Sequence, residues 1–459
     1  MNIKISNAPL LAIAGLTLVF GQAFASEINV NCDEGDSLQK AIDSGAGSAA
    51  RREIFVTGFC EEDLLISRDR LSFVGDGNTV ISGHIVVRGS DGLAFRNLSI
   101  TGPGNGLSAS VSRIWMVNVH VTGNDEYGIA LRHGGAIFLR NGSIAHNNGG
   151  IGFLIENGHG ELTNTHVFSN ANDGIVVNVN GNLTMIGGSV NSHEQGTGIT
   201  ANLSSTVELE GVGISNNLAG VSVSMGAAAA INNSTINENA EVGIVMESGT
   251  LGLNNVEISG NGAGIAASMA KIILQDAQVV NNAYRGIDVA GSSALIVSGG
   301  AVSGNGAVGV IVDQGSSLAA DGVSIRENGL TGVGVRWNSN ADIVGCTIGD
   351  NARLNPRRSG VFVSRSSSAT IDSTEVFGNW TGVGVTRQSF VDLVGTTELR
   401  DNSNDGLRLS YDSGAIADDP VFIPENGSGW AVSCNDTESS FENRSAGVGL
   451  INCKGFDLP

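Results

Sequence analysis

The chain has 459 residues, among them 66 glycines, 45 Asp or Glu and 24 Lys or Arg, for a net charge of −21. A surface this acidic repels nucleic acid and anionic lipid, which excludes both as partners. It also repels polyanionic glycans unless calcium or a local basic patch intervenes.

Residues 1–25 carry one charge, Lys4, an apolar run from Leu10 to Phe20 and a small-x-small end at Ala23-Phe24-Ala25. This is the pattern of a secretory signal peptide cleaved near Ala25. Its removal leaves 23 basic against 45 acidic residues, a net of −22. No other stretch is long and apolar enough to span a bilayer. The expectation is a monomer outside the cytoplasm, whether released, periplasmic or on the cell surface.

Residues 26–52 read as an N-terminal cap. A short strand around Ile28 and Val30 is followed by an amphipathic helix from about Asp36, with Leu38, Ala41 and Ile42 on one face. Such a helix covers strand edges that would otherwise pair with another chain.

From residue 53 to 414 one phrase recurs, legible in Ile236-Asn237-Glu238-Asn239-Ala240-Glu241-Val242-Gly243-Ile244. An aliphatic residue is followed three positions later by Asn, then by Gly and an aliphatic strand. The Gly runs through Gly106, Gly128, Gly150 and Gly174 to Gly406 at intervals of 21 to 28. The Asn runs through Asn124, Asn147 and Asn170 to Asn402, with His193 in one slot, and Val121, Ile144 and Val167 begin the aliphatic series. A period near 23 is the signature of a solenoid whose units bury their apolar sides only by stacking. Alternation such as Val333-Gly334-Val335 has the strand period of two. Gly is expected to supply positive φ at a corner. Asn is expected to stack into a hydrogen-bonded ladder that satisfies backbone groups left open by the turn.

This phrase resembles the right-handed parallel β-helix of the pectin-lyase-like superfamily, bacterial secreted type, over about residues 53–430. The fold expected is all-β: roughly fifteen coils of about 23 residues, with the N-terminal helical cap and a disulfide-tied C-terminal cap. The resemblance implies extracellular polysaccharide as partner. It spans lyases, hydrolases, epimerases and adhesins, so it leaves open whether the chain cleaves, epimerises or only binds. The competing reading is a non-catalytic surface, matrix or adhesin-type protein.

Residues 415–459 leave the period and hold Pro420, Pro424, Cys434 and Cys453, which reads as the C-terminal cap. Cys32 with Cys60 and Cys434 with Cys453 would each tie a terminal segment to the solenoid. Cys346 is left over, in a slot held elsewhere by Val119, Val212 or Ala277, and reads as an inward, inert thiol.

In a repeating scaffold, function shows where the repeat is broken. Residues 118–166 hold five of the seven histidines, His120, His133, His146, His159 and His166. His120 and His166 are expected in one column with Ser143 between them. If the protein is an enzyme acting on a uronate, Arg132 would neutralise the carboxylate while His133 and Tyr127 supply base and acid. Gly158-His159-Gly160 matches one short polygalacturonase motif, but that family's paired-Asp and Arg-Ile-Lys motifs are missing, as are the Asp-Pro-His-Asp motif of the alginate epimerases and the Arg-rich motif of the pectate lyases.

Residues 326–411 hold nine arginines and no lysine, together with the one long interval, where an insertion around Arg357 and Arg358 precedes Gly360. Five positions after the Gly, successive coils carry Trp337, Arg365, Arg387 and Tyr411. Pointing outward, that column would present aromatic and guanidinium planes to sugars and their acidic groups. No cofactor is implied. The Asp and Asn turns offer oxygen ligands, but without a nonapeptide repeat or EF-hand loop calcium is not assigned and no metal site is proposed.

Overall fold

A computed structural model describes residues 26–44, 51–352, 358–427 and 430–453. Residues 1–25, read above as a signal peptide, and Arg357 lie outside them. The chain winds as a parallel β-solenoid of about 18 turns, ~85 Å long at ~4.8 Å per turn. Each turn carries three strands, one on each of three faces. Thr206–Glu210, Ser317–Asp321 and Phe390–Val394 lie on the first face, Thr235–Asn237 and Glu398–Arg400 on the second, and Ile287–Ala290, Val333–Arg336 and Leu407–Ser410 on the third.

The pairing is parallel and in register, so each inward position repeats as a column. One column runs Val207, Ala229, Leu251, Ile272, Leu295, Leu318, Ala341, Ala369, Val391 and Ala415. The strand Thr206–Glu210 shows why: Val207 and Leu209 are buried while Thr206, Glu208 and Glu210 face water. Alternation in sequence becomes inside and outside because the side chains of a strand alternate across it.

The coil count exceeds fifteen because paired strands run past the repeat phrase at both ends. Ser26–Asn31 already pairs with Arg52–Thr57, and Gly414–Asp418 pairs with Ser440–Arg444. The helix Leu38–Asp43 forms where expected, capped by Ser37, with Leu38, Ala41 and Ile42 buried. The Gln39 side chain exchanges hydrogen bonds with the backbone of Leu65 at 2.9 and 3.2 Å, so it pairs with that strand's edge as a neighbouring strand would. Both expected disulfides are present, Cys32–Cys60 and Cys434–Cys453, with Cα–Cα distances of 5.0 and 4.7 Å. Cys346 is free and buried, and burial pushes its thiol pKa up.

The Asn ladder forms at the corner between the second and third faces. Asn261 shows the unit: its Oδ1 accepts from the backbone and side-chain nitrogens of Asn239 at 3.0 and 2.9 Å, and its Nδ2 donates to Asn282 Oδ1 and Ile236 O at 3.0 Å each. The ladder is buried throughout and continues to Asn426, beyond the last Asn read from the repeat.

Two expectations are corrected here. The ladder member in the second coil of the series is Asn148, not Asn147, and the matching glycine is Gly152, not Gly150. In that coil Ala145, not Ile144, pairs with Val121 as the inward residue, so Ile144 stands between His120 and His166 where Ser143 was expected. Asn147 is the left-handed corner residue, with φ 53°. The column glycines, in turn, do not have positive φ. Gly243 is required by close approach: a Cβ there would sit 2.7 Å from Ile258 Cγ2, 2.8 Å from Gly264 O and 3.0 Å from Asn261 Nδ2.

Candidate functional site

The five clustered histidines spread over different surfaces. His120, His146 and His166 lie on the second face, His159 on the first and His133 at the corner between the third and first. His146 packs against Phe168 with ring centroids 4.7 Å apart and meets His120 edge-on at 6.3 Å; burial, then the neighbouring His120, pushes its pKa down. His159 Nδ1 donates to Asn182 Oδ1 at 2.8 Å, and its ring meets Phe138, which stacks on Trp115 at 5.2 Å.

Of the three residues read as a catalytic set, two come together. Tyr127 packs on a small apolar cluster outside the core, Ala130, Leu154 and Val176. The Arg132 guanidinium carbon lies 5.6 Å from its ring centroid. Arg132 also pairs with Glu156 on the next coil, 3.4 Å away; Glu156 was not singled out in the sequence, where only its spacing of 24 from Arg132 hinted at contact. His133 follows Arg132 but turns the corner with φ 60° and is exposed.

The second set forms one column. Trp337, Arg365, Arg387 and Tyr411 occupy the corner between the third and first faces on four consecutive coils, all left-handed, with φ of 54°, 62°, 58° and 56°. The next residue of each coil is bonded across the rungs: Asn338 N donates to Arg365 O at 3.0 Å, Ser366 N to Arg387 O at 3.1 Å and Gln388 N to Tyr411 O at 3.0 Å. Trp337 is 50% exposed and Tyr411 70%. The Arg365 guanidinium carbon lies 3.9 Å above the Trp337 ring centroid. Gln314 precedes the column. At the far end the Asp436 carboxylate accepts from Tyr411 N.

A second ladder, missed in the sequence, holds this corner in place. Two residues after each column member stands a buried serine: Ser339, Ser367, Ser389 and Ser413. Each serine's amide donates to the hydroxyl of the next, at 3.2 Å for Ser339 to Ser367, 3.3 Å for Ser367 to Ser389 and 3.4 Å for Ser389 to Ser413. The signal was available as a Ser seven positions after each Gly from Gly309 to Gly406. Backbone groups bonded at every rung fix where the outward side chains emerge.

Charge pairing separates the arginines of this stretch. Arg326 pairs with Asp350 at 2.6 Å, Arg336 with Asp313 at 2.7 Å and Arg408 with Asp405 at 2.5 Å, and Arg400 pairs with Glu375, Asp401 and Glu398. Among the described residues, Arg358, Arg365 and Arg387 have no carboxylate partner. Arg358 does not join the column. It stands at the opposite edge of the third face, seven residues of extended chain before Arg365, on the order of 20 Å away. On its side a cavity of about 560 Å³ opens, lined by Glu327, Asp350, Asn351, Trp380 and Ser403 among others. Among the described residues no His, Cys, Asp and Glu side chains converge as a metal site.

The repeating coil, its three parallel faces and the interior Asn ladder define the class: a parallel β-helix solenoid with outward-facing corner columns. The chain belongs to the family described as right handed beta helix region, which it matches over residues 75–196 and 248–398. No curated protein gives a significant match to the sequence. Among solved structures it is similar to the Azotobacter vinelandii mannuronan C-5 epimerase AlgE4 A-module, with 15% identity over 90% of this chain and 100% of that one and a TM-score of 0.36. It is similar also to the periplasmic alginate epimerase AlgG, with 12% identity, 93% and 83% coverage and a TM-score of 0.38, and to the pectate lyase Pel9A, with 11%, 66% and 77%, and 0.30. None of these likenesses carries an argument about the site. Two disulfides accord with an oxidising, extracytoplasmic compartment, and no helix among the described residues is long and apolar enough to cross a membrane.

Proposed function

We propose that this chain is a secreted β-helix protein, cleaved near Ala25, that binds acidic extracellular polysaccharide along the corner formed by Trp337, Arg365, Arg387 and Tyr411. One observation carries the reading: in a protein of net charge −21, two arginines on adjacent coils have no carboxylate partner among the described residues and stand between two exposed aromatic residues of the same column. Guanidinium groups not held in an ion pair are available for bidentate contact with a carboxylate or sulfate. A rung spacing of ~4.8 Å is close to the length of one extended pyranose residue, so a glycan lying along the rod axis would meet one column member per sugar. The rest of the acidic surface is screened beyond about 8 Å at physiological ionic strength. Arg358 belongs to this reading only for a chain that also crosses the third face.

The test is pull-down of the purified mature protein on neutral and uronate-containing polysaccharides, with and without calcium, alongside ultraviolet detection of unsaturated product. Retention on acidic glycans that falls at least tenfold in Arg365→Gln/Arg387→Gln supports binding at this corner. Equal retention of wild type and variant removes the corner from the account.

The contact of Arg132 with Tyr127 at 5.6 Å supports a second reading, uronate elimination or epimerisation by Tyr127, Arg132 and His133. It predicts product that vanishes in His133→Ala. A protein that neither binds nor reacts would be of the structural, matrix or adhesin type.

A further inference from the structure

The position of Arg365 over Trp337 changes what the indole does. A guanidinium carbon 3.9 Å from the ring centroid covers the face of Trp337 that looks along the column toward Arg387. That face is not open for a sugar ring. Tyr411, 70% exposed, has no ring or cation contact among the described residues, so neither face of its ring is covered by a cation as that of Trp337 is.

We propose that Trp337 is a positioning residue which holds the Arg365 guanidinium for an acidic group of the glycan, while Tyr411 is the surface that stacks on a sugar; this rests on the reading of the corner as a polysaccharide site. A guanidinium stacked on an aromatic face keeps its N–H edge free, so stacking and bidentate binding of a carboxylate are compatible. An arginine side chain ordered in advance loses less rotamer freedom on binding. The backbone supports the same geometry. Trp337 and Arg365 stand on adjacent rungs, each two residues before a buried serine of the second ladder, and Ser339 N donates to Ser367 Oγ at 3.2 Å beneath the pair. The arrangement is local to this point of the rod: Gln314, one rung before Trp337, offers no ring, and Arg387, one rung after Arg365, has no aromatic neighbour beneath it among the described residues.

The consequence is selectivity. Contacts of Trp337 serve charged sugars only, because they act through Arg365, whereas contacts of Tyr411 serve charged and neutral sugars alike.

The experiment titrates the mature protein with oligogalacturonate and oligomannuronate, each beside its neutral methyl ester. The variants are Trp337→Leu, Trp337→Phe, Arg365→Gln, the Trp337→Leu/Arg365→Gln pair, and Tyr411→Ala, with the native fold of each checked by circular dichroism. The expected result is that Trp337→Leu and Arg365→Gln each weaken binding of the acid about tenfold. The pair weakens it no further than Arg365→Gln alone, Trp337→Phe retains most of the affinity, and Tyr411→Ala weakens acid and ester equally. Weakening by Trp337→Leu that multiplies with that of Arg365→Gln, or that extends to the methyl ester, would show the indole touching sugar directly and overturn the positioning role. Arg365→Gln weakening the acid while Trp337→Leu leaves it unchanged would overturn it too. If neither acid binds, or Arg365→Gln leaves both unaffected, it is the reading of the corner that fails.

Discussion

His193 is the one ionisable member of the buried ladder, and replacing it with Asn isolates its energetic role. The imidazole is fully buried and imitates an asparagine. Its Nδ1 accepts the Asn170 amide at 3.2 Å, its Nε2 faces Val167 O at 3.3 Å, and its own amide donates to Asn217 Oδ1 at 3.1 Å. These partners place the single proton on Nε2. Charging would put a second proton on Nδ1, against the Asn170 N–H, inside a buried ladder. Burial accordingly pushes the His193 pKa down, only partly offset by the carbonyl oxygens of Asn170, 3.4 Å from Nδ1, and of Val167, and by Asp173. A base with a folded pKa below its unfolded value near 6.5 binds fewer protons when folded. Its stabilisation is therefore complete above about pH 6.5 and is lost as pH falls, by up to ~1.4 kcal/mol per pH unit, until the folded pKa is reached. His193→Asn removes this titration and restores a side-chain acceptor for Asn170 Nδ2, worth about 1 kcal/mol. Urea midpoints of wild type and variant should thus separate progressively between about pH 7 and pH 5. His146, whose pKa is lowered by burial and by His120, acts in both proteins and cancels in the difference. Midpoints that fall in parallel would refute the argument, because the titrating group would then lie elsewhere.

Asn261→Ala removes an acceptor of two bonds and a donor of two more within the buried ladder; a loss of about 3 kcal/mol or more is expected in chemical denaturation, and a loss under about 1 kcal/mol would show that the ladder contributes little. Cys346 is buried with its thiol pKa raised by burial, so a thiol reagent should label it only after denaturation, and rapid labelling of the native protein would contradict its inward placement. Val111 is 66% exposed with φ 47°, a conformation that costs a β-branched residue about 1–2 kcal/mol, so Val111→Asn should raise the melting temperature by about 1–2 degrees in a chain of this length, and a fall would mean that the side chain has a packing role.

Much of the scaffold was legible before any coordinates. The alternation of apolar residues specified strands, the period near 23 specified stacking, and the cysteines near the two ends specified the staples now seen at Cys32–Cys60 and Cys434–Cys453. The column Trp337, Arg365, Arg387 and Tyr411 was legible as well, because a solenoid turns a fixed offset from a repeating glycine into a fixed place in space. Where an insertion or an adjacent pair of asparagines blurred the offset, legibility ended. Nothing local distinguishes Asn147 from Asn148; the inward register of Ala145 decides which enters the ladder.

What the sequence by itself determined is therefore everything that repeats, since one coil's inward residues pack on the same residues of the next. Only the tertiary structure decided what a single position touches. Gly243 is glycine because a neighbouring coil leaves no room for a Cβ, not because its φ demands it. Arg326, Arg336, Arg400 and Arg408 find acidic partners within the stretch or on nearby coils, while Arg365 settles on Trp337. Such contacts join residues 20 or more apart in the chain as readily as residues three apart, and their outcome depends on distances between side chains that composition and spacing do not encode.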